Sequence, residues 1–269
     1  MVASGNDFVV TELKNLRTQE LKNLARNICN KKYGVGADGL LVLEKSKTAD
    51  VKMRVFNADG SEAEMCGNGA RCVALWHSAK RLPVRQAGKA HSVNIETKAG
   101  IIEAQVNGDN VKIKLTDPKQ LKLEIPIRVN KRLMLVNFIN TGVPHTVIFV
   151  EGLNKIDVKN LGRQIRFHKK FSPRGTNVDF VEVLNKNSIN LRTYERGVED
   201  ETLACGTGSV ASAIVASFML QAPGVKIFNV YTRSGEILKV YFKEKDNRFR
   251  DVWLEGKARI TFEGEIGTI

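Results

Sequence analysis

Apolar residues recur along this chain in short blocks, some alternating with polar residues and some returning every third or fourth position, and the blocks predict an interleaving of strands and helices. Phe8–Val10, Leu40–Leu43 and Lys52–Phe56 read as strands. Leu21, Leu24, Ala25 and Ile28 occupy i, i+3, i+4 and i+7 of a helix that Thr18 should cap and Gly34 should stop. Beyond Cys66, the run through Gly67, Gly69, Ala70, Val73, Ala74 and Trp76 predicts a buried helix that halts before Pro83. Strands at Val93–Thr97, Ile101–Val106 and Val111–Leu115 follow, the last two joined across the hairpin dipeptide Asn107-Gly108. The order then recurs. A strand at Thr146–Val150 leads to a helix capped by Asp157 with Val158, Leu161 and Ile165 inward, then to a strand at Asp179–Val183. Cys205 opens an apolar helix at Gly208–Leu220, and strands at Lys226–Tyr231 and Ile237–Phe242 close the pattern.

The recurrence has a register. Thr18, Gly36 and Cys66 map onto Asp157, Gly175 and Cys205 with one shared offset of 139. Cys66-Gly67-Asn68-Gly69 matches Cys205-Gly206-Thr207-Gly208, and Asn94-Ile-Glu-Thr97-Lys-Ala-Gly100 matches Asn229-Val-Tyr-Thr232-Arg-Ser-Gly235 after a four-residue deletion. Two helices that merely happen to begin C-G-x-G would leave the shared spacing to Gly36 and Gly175 unexplained. Self-similarity of this kind predicts two like-folded halves, split near Thr116–Gln120. The expected division is 1–117 carrying Cys66, with 258–269 packing back onto it, and 118–257 carrying Cys205.

At 269 residues the chain can bury a sizeable core, and 42 Lys and Arg against 29 Asp and Glu give a formal charge of +13, which favours anionic partners. The start carries Asp7 and no apolar leader, and the longest mostly apolar stretch, Val210–Leu220, is 11 residues with two serines. A signal peptide and a membrane span are therefore not expected. Four irregularly spaced cysteines, Cys29, Cys66, Cys72 and Cys205, are no disulfide framework and suit a reducing, cytoplasmic setting.

A cysteine at the first turn of a helix meets backbone N–H groups and the positive end of the helix dipole, which favour thiolate. Taken singly, such a residue is more often a small buried hydrophobe, and that is the reading for Cys29 and Cys72. The pair Cys66 and Cys205 is different, because halves related by an approximate two-fold axis bring equivalent helix starts face to face. Two opposed thiols, one ionised and one protonated, meet the needs of inverting a carbon centre: a base on one face and an acid on the other. The same turns offer the N–H groups of Gly67, Asn68, Gly206 and Thr207 to a carboxylate and to the charge that builds beside it.

Other motifs carry less. Gly34-Val-Gly36-Ala-Asp38-Gly39 fits G-x-G-x-x-G but precedes a strand, the reverse of a dinucleotide-binding turn, and Gly206–Ala211 is followed by no acidic residue as far as Gly235. No C-x-x-C occurs, and His77, His91, His145 and His168 are scattered, so neither a metal nor a cofactor is expected. The basic clusters at Arg163–Arg174 and Lys239–Arg250 read as solvated faces, and no RNA-binding signature accompanies them, so nucleic acid is not the expected partner.

Around the paired turns, Ser4-Gly-Asn-Asp-Phe8, the run from Phe56 through Asn57, Ala58 and Asp59 to Cys66-Gly-Asn-Gly-Ala-Arg71, and Tyr194-Glu-Arg-Gly197 with Glu201-Thr-Leu-Ala-Cys-Gly-Thr-Gly208 closely resemble the diaminopimelate epimerase family over nearly the whole length. The resemblance implies an α+β fold of two similar halves related by pseudo-two-fold symmetry, each a curved sheet wrapped around a central helix. It implies cofactor-independent interconversion of LL- and meso-diaminopimelate, for lysine and peptidoglycan precursor synthesis. It also implies Cys66 and Cys205 as the acid/base pair, Gly67, Asn68, Gly206 and Thr207 around the reacting carboxylate, and Asn6, Asn57, Asn177, Glu195 and Arg196 lining the pocket toward the remaining ammonium and carboxylate groups. The chain departs from the family in three ways. It starts several residues short of the usual opening strand, and an exposed strand there would suit a homodimer. Val143 in Gly142-Val-Pro-His145 stands where the family often has a substrate-binding asparagine, which bears on recognition of the unreactive end. Glu199-Asp200 lengthens the stretch after Gly197, and Gly39 stands where some members have glutamine. Two rival readings are a racemase or isomerase of another amino acid on the same fold, prompted by Val143, and a non-catalytic basic domain that binds nucleic acid, prompted by the charge.

Overall fold

A computed structural model describes residues 1–13, 16–81, 91–221, 227–245 and 248–267. The chain forms two compact units, Met1–Lys114 with Glu255–Ile269 and Leu115–Leu254.

In the first unit, β1 (Val2–Ala3) and β2 (Asn6–Glu12) are antiparallel, and β2 runs parallel to β3 (Gly39–Glu44) after the crossover helix α1 (Thr18–Ile28). β4 (Val51–Asn57) lies antiparallel to β3 and to the short β5 (Glu62–Ala63). α2 (Gly67–Arg81) then crosses over to β6 (His91–Thr97), which is parallel to β4 and continues through β7 (Gly100–Asn107) and β8 (Asn110–Lys114) as an antiparallel meander. The second unit opens with a long hairpin, β9 (Lys119–Val129) and β10 (Arg132–Asn140). From β10 onward it reproduces the pairing scheme of the first unit, through β11 (Pro144–Phe149), α3 (Val158–Arg166), β12 (Asn177–Asn185), β13 (Ser188–Glu195), β14 (Asp200–Thr202), α4 (Gly206–Met219), β15 (Ile227–Thr232), β16 (Ile237–Lys245) and β17 (Arg248–Lys257). The pairs β2–β3, β4–β6, β11–β12 and β13–β15 are parallel, each joined by a helix, as parallel connections require.

Each unit curls its strands around one helix. α2 packs against β1, β2, β4, β6, β7 and β8, and α4 against β10, β11, β12, β13, β15 and β16. Encirclement explains the composition of α4, since a helix apolar on every side is one buried on every side. Every residue of α4 from Gly208 to Ser217 is buried. α1 and α3 are amphipathic and lie on one face: Leu21, Ala25 and Ile28 pack on Leu40, Val42 and Phe56, and Val158 and Ile165 on Val178, Phe180 and Tyr194.

The structure corrects several local expectations. Thr18 is the first helical residue rather than the cap. Arg17 holds that place, its backbone N–H donating to Glu20 Oε2 at 2.7 Å. Gly34 does not stop α1, which ends at Ile28. It folds back beneath the helix end, where a Cβ would meet the Asn27 carbonyl oxygen at 2.2 Å. Asn107 pairs with Asn110, so the β7–β8 loop is Gly108-Asp109, shifted one residue from the expected dipeptide. In the first basic cluster Arg166 is not solvated, because its guanidinium bonds to Glu199 Oε1 at 3.1 Å and its side chain is only 12% exposed. β1, β5, β9, β10, β13, β14 and β17 are strands that the pattern reading did not anticipate. Pro83 and the start of the Lys226 strand lie outside the described residues, as do residues 246 and 247 within the second basic cluster.

Candidate active site

In the first unit Cys66 immediately precedes α2, half-buried, and Gly69 N–H donates to its Sγ at 3.4 Å. Asn68, in the first turn of the helix, is 6% exposed and its Nδ2 donates to Asn6 Oδ1 at 2.5 Å. Asn6 sits at the start of β2 and donates in turn to Asp38 Oδ2 at 3.0 Å. The structure therefore brings Asn6, Asn68 and the Cys66 turn together. Asn57 ends β4 exposed, with its Nδ2 on Ser61 Oγ at 2.9 Å. Gly67 opens the helix, and a Cβ there would touch only Ile113 Cδ1 at 3.5 Å, an ordinary contact.

In the second unit Cys205 is the N-cap of α4 and is buried. Its Sγ lies 3.5 Å from Thr207 Oγ1, which lies 3.0 Å from His145 Nε2, and His145 Nδ1 lies 2.7 Å from Asp179 Oδ2. Asp179 Oδ1 also accepts from Thr193 Oγ1 at 2.8 Å. A carboxylate only accepts, so His145 Nδ1 donates to Asp179, and Thr207 Oγ1 stands between His145 Nε2 and the sulfur. Burial, followed by the charges of Glu195 and Asp179, pushes the Cys205 thiol well above its ordinary value. Contacts from the Thr207 side chain and the Gly208 backbone oppose that shift without offsetting it. Burial and the two carboxylates together favour a neutral thiol.

Asn177 begins β12, donates to the Pro144 carbonyl at 3.1 Å, and accepts from Arg196 N–H at 2.8 Å. It thereby ties the Glu195-Arg196 turn to the strand. Burial raises the Glu195 carboxyl above its usual range, with Asp179 adding to the rise while Thr202 and His145 act against it. Arg196 is lowered by burial and by the neighbouring guanidiniums of Arg166 and Arg174. Gly206 and Gly208 are both tight: a Cβ would meet Leu254 Cδ2 at 2.8 Å at the first and Asp179 Oδ1 at 2.5 Å at the second. Val143 is half-buried in the turn before β11, its carbonyl accepting from Thr141 N–H at 3.1 Å.

His145, Asp179, Thr193 and Thr141, whose hydroxyl donates to the Thr207 carbonyl at 3.2 Å, escaped the sequence reading. His145 and Asp179 stand 34 residues apart and meet because β11 and β12 run parallel with His145 opposite Asn177. Of the other cysteines, Cys72 is fully buried in α2, and Cys29 is 4% exposed in the α1 core with its thiol raised to about 11 by burial and by Asp7 and Asp38. Among the described residues no three His, Cys, Asp or Glu side chains are grouped to hold a metal ion, and no helix is long and apolar enough to cross a membrane.

The sequence model for diaminopimelate epimerase matches residues 1–121 and 137–261, and the interval left between them covers most of β9 and the start of β10. A protein from Aquifex aeolicus named diaminopimelate epimerase is 43% identical over 98% of this chain and 95% of its own length. One of the same name from Methanocella arvoryzae is 40% identical over 99% of this chain and 95% of its own. Among solved structures, a phenazine biosynthesis protein of the PhzF family from Bacillus anthracis superposes with a TM-score of 0.70 at 18% identity, covering 94% of this chain and 91% of that one. A probable proline racemase from Agrobacterium radiobacter gives 0.69 at 13% identity over 97% and 92%, so with these two the likeness is one of fold. With a family model spanning both units and relatives this close over nearly all of their length, the chain belongs to the diaminopimelate epimerase family.

Proposed function

We propose that the chain interconverts LL- and meso-diaminopimelate without a cofactor, moving the α-proton between two thiols, Cys66 and Cys205. The observation that carries the reading is identity of about two residues in five with epimerases of that name across nearly the entire chain. The local setting supports the two thiols. Each stands at the first turn of its unit's central helix, where the first backbone N–H groups have no intrahelical acceptor. Gly67, Asn68, Gly206 and Thr207 supply those groups to the α-carboxylate, and the helix dipoles favour the negative charge that builds on it.

The two sulfurs divide the work. Cys205, buried beside Glu195 and Asp179, keeps its proton and is the resting acid. Cys66, half-buried with an N–H donated to its sulfur, takes the base role for the epimer whose α-hydrogen faces it. The C–H bond breaks onto Cys66, the electron pair delocalises into the carboxylate, and Cys205 delivers its proton to the opposite face. The thiol and thiolate have then changed places, and solvent exchange or the reverse turnover resets them. His145, held by Asp179, keeps Thr207 beside Cys205 throughout. Arg196 forks onto the distant carboxylate, and Glu195 and the asparagines accept from ammonium. The substrate is a small molecule, nucleic acid has no part in the reaction, and the four free thiols suit the cytoplasm.

Val143 motivates the alternative that another amino acid is the substrate. Incubating the enzyme with single isomers of diaminopimelate, glutamate and proline separates the readings. Interconversion of the diaminopimelate isomers is expected; racemisation of glutamate or proline with none of diaminopimelate overturns the proposal.

A further inference from the structure

We infer that Arg71 is a positioning residue, which through a one-way string of hydrogen bonds sets the amide polarity of Asn68 and Asn6 beside Cys66. Arg71, on α2, is fully buried. Its Nη2 donates to Asn68 Oδ1 at 2.8 Å and to Ser4 Oγ at 2.7 Å. Asn68 Nδ2 donates to Asn6 Oδ1 at 2.5 Å, and Asn6 Nδ2 donates to Asp38 Oδ2 at 3.0 Å.

An isolated asparagine can turn its amide over and exchange donor for acceptor at little cost. Here it cannot. A guanidinium only donates, so the oxygen of Asn68 must face it, which leaves the nitrogen of Asn68 toward Asn6. The oxygen of Asn6 must then meet that nitrogen, and the nitrogen of Asn6 must meet Asp38, whose carboxylate only accepts. Turning either amide over would set donor against donor at one of its ends and acceptor against acceptor at the other. Three strictly matched bonds in series therefore fix both amides, with a positive group at one terminus and a negative one at the other. After these bonds each asparagine keeps one N–H and one oxygen lone pair for a ligand, in a single arrangement. The string also joins the Cys66 turn to the start of β2 and to the loop before β3, so its three anchors move together. Ser4, held by the same nitrogen and strained at φ 51°, marks how closely the β1–β2 turn is gathered to Arg71.

The consequence for the reaction rests on the proposed use of Asn6 and Asn68 toward diaminopimelate: an amide free to turn presents the wrong atom for much of the time and weakens binding more than it slows proton transfer. Arg71→Met removes the donor end and Asp38→Ala the exposed acceptor end, the latter without touching the core. Both should raise KM for diaminopimelate about tenfold while kcat falls less than threefold, the loss of one hydrogen bond to a charged group. Arg71→Lys, which still donates, should restore most of the KM. A second readout needs no turnover: Arg71 and Asn6 share no bond, so in protein carrying 15N-asparagine the side-chain amide resonance of Asn6 should shift in Arg71→Met and return in Arg71→Lys. Folded variants with KM within twofold of the parent, or an Asn6 resonance indifferent to Arg71, overturn the inference. A parent with no activity on diaminopimelate defeats the proposed function instead, and the resonance then decides the string by itself.

Discussion

Replacing Gly208 with alanine puts a methyl carbon 2.5 Å from Asp179 Oδ1 and 3.3 Å from its Cγ. That oxygen cannot swing aside freely, because it accepts from Thr193 at 2.8 Å while its twin holds His145 at 2.7 Å, and the residue is fully buried. Relief therefore needs either a backbone shift, at about 1–3 kcal/mol for overpacking, or loss of a charge-assisted hydrogen bond, at about 1.5–3 kcal/mol. Alanine returns about 1 kcal/mol as a better helix former than glycine. The net expectation is destabilisation by about 1–2 kcal/mol, a sizeable share of a typical folding free energy of about 5–15 kcal/mol. Gly69 occupies the same place in the first C-G-x-G turn, yet a methyl there meets Leu41 Cδ2 at 3.0 Å, the far end of a flexible side chain. Gly69→Ala should then fall within about 1 kcal/mol of the parent, since the helix gain offsets a small repacking cost. Equilibrium urea unfolding of both variants, read by far-ultraviolet circular dichroism at matched m-values, gives the two numbers. Equal effects, or a Gly208→Ala variant as stable as the parent, would refute the steric reasoning.

Glu195→Gln should stabilise the protein while removing activity. Burial raises the carboxyl of Glu195, so the fold prefers its neutral form and is penalised increasingly as pH climbs past the ordinary carboxyl range. A melting temperature at pH 8 above the parent's is expected, with the gap closing toward pH 4. Cys29 obeys the same sign. Its thiol is raised from 9.0 to about 11, so the unfolded chain loses that proton first and stability should fall as pH rises from 9 toward 11. Cys29→Ala should flatten the slope in urea unfolding across that window; an unchanged slope would show that the thiol does not titrate late.

Much of this organisation is legible in the residues, and what is not has a physical reason. Asp157 caps α3 as expected, accepting Asn160 N–H at 3.1 Å, because a short acceptor side chain before an apolar-periodic run has few other uses. At α1 the same rule misled: Thr18 lay one residue inside, and the cap bond came from Glu20 reaching back to Arg17. β9 carries a period-two signal in Leu121, Leu123, Ile125, Ile127 and Val129, but Pro126 argues against a strand unless its missing N–H costs no ladder bond. The thiols announced themselves because one local motif occurs twice. The His145–Asp179 support for Cys205 did not, since it depends on the register of two parallel strands, which no short stretch of sequence encodes.

The central claim is that two thiols exchange one proton across a single carbon. Turnover of LL-diaminopimelate in deuterated water tests it most directly, with initial label followed separately in substrate and product for the parent, Cys66→Ala and Cys205→Ala. Deuterium should enter the α-position of the meso product while the remaining LL pool stays unlabelled, and either alanine variant should abolish epimerisation. Epimerisation and label uptake that persist in both variants would contradict the account.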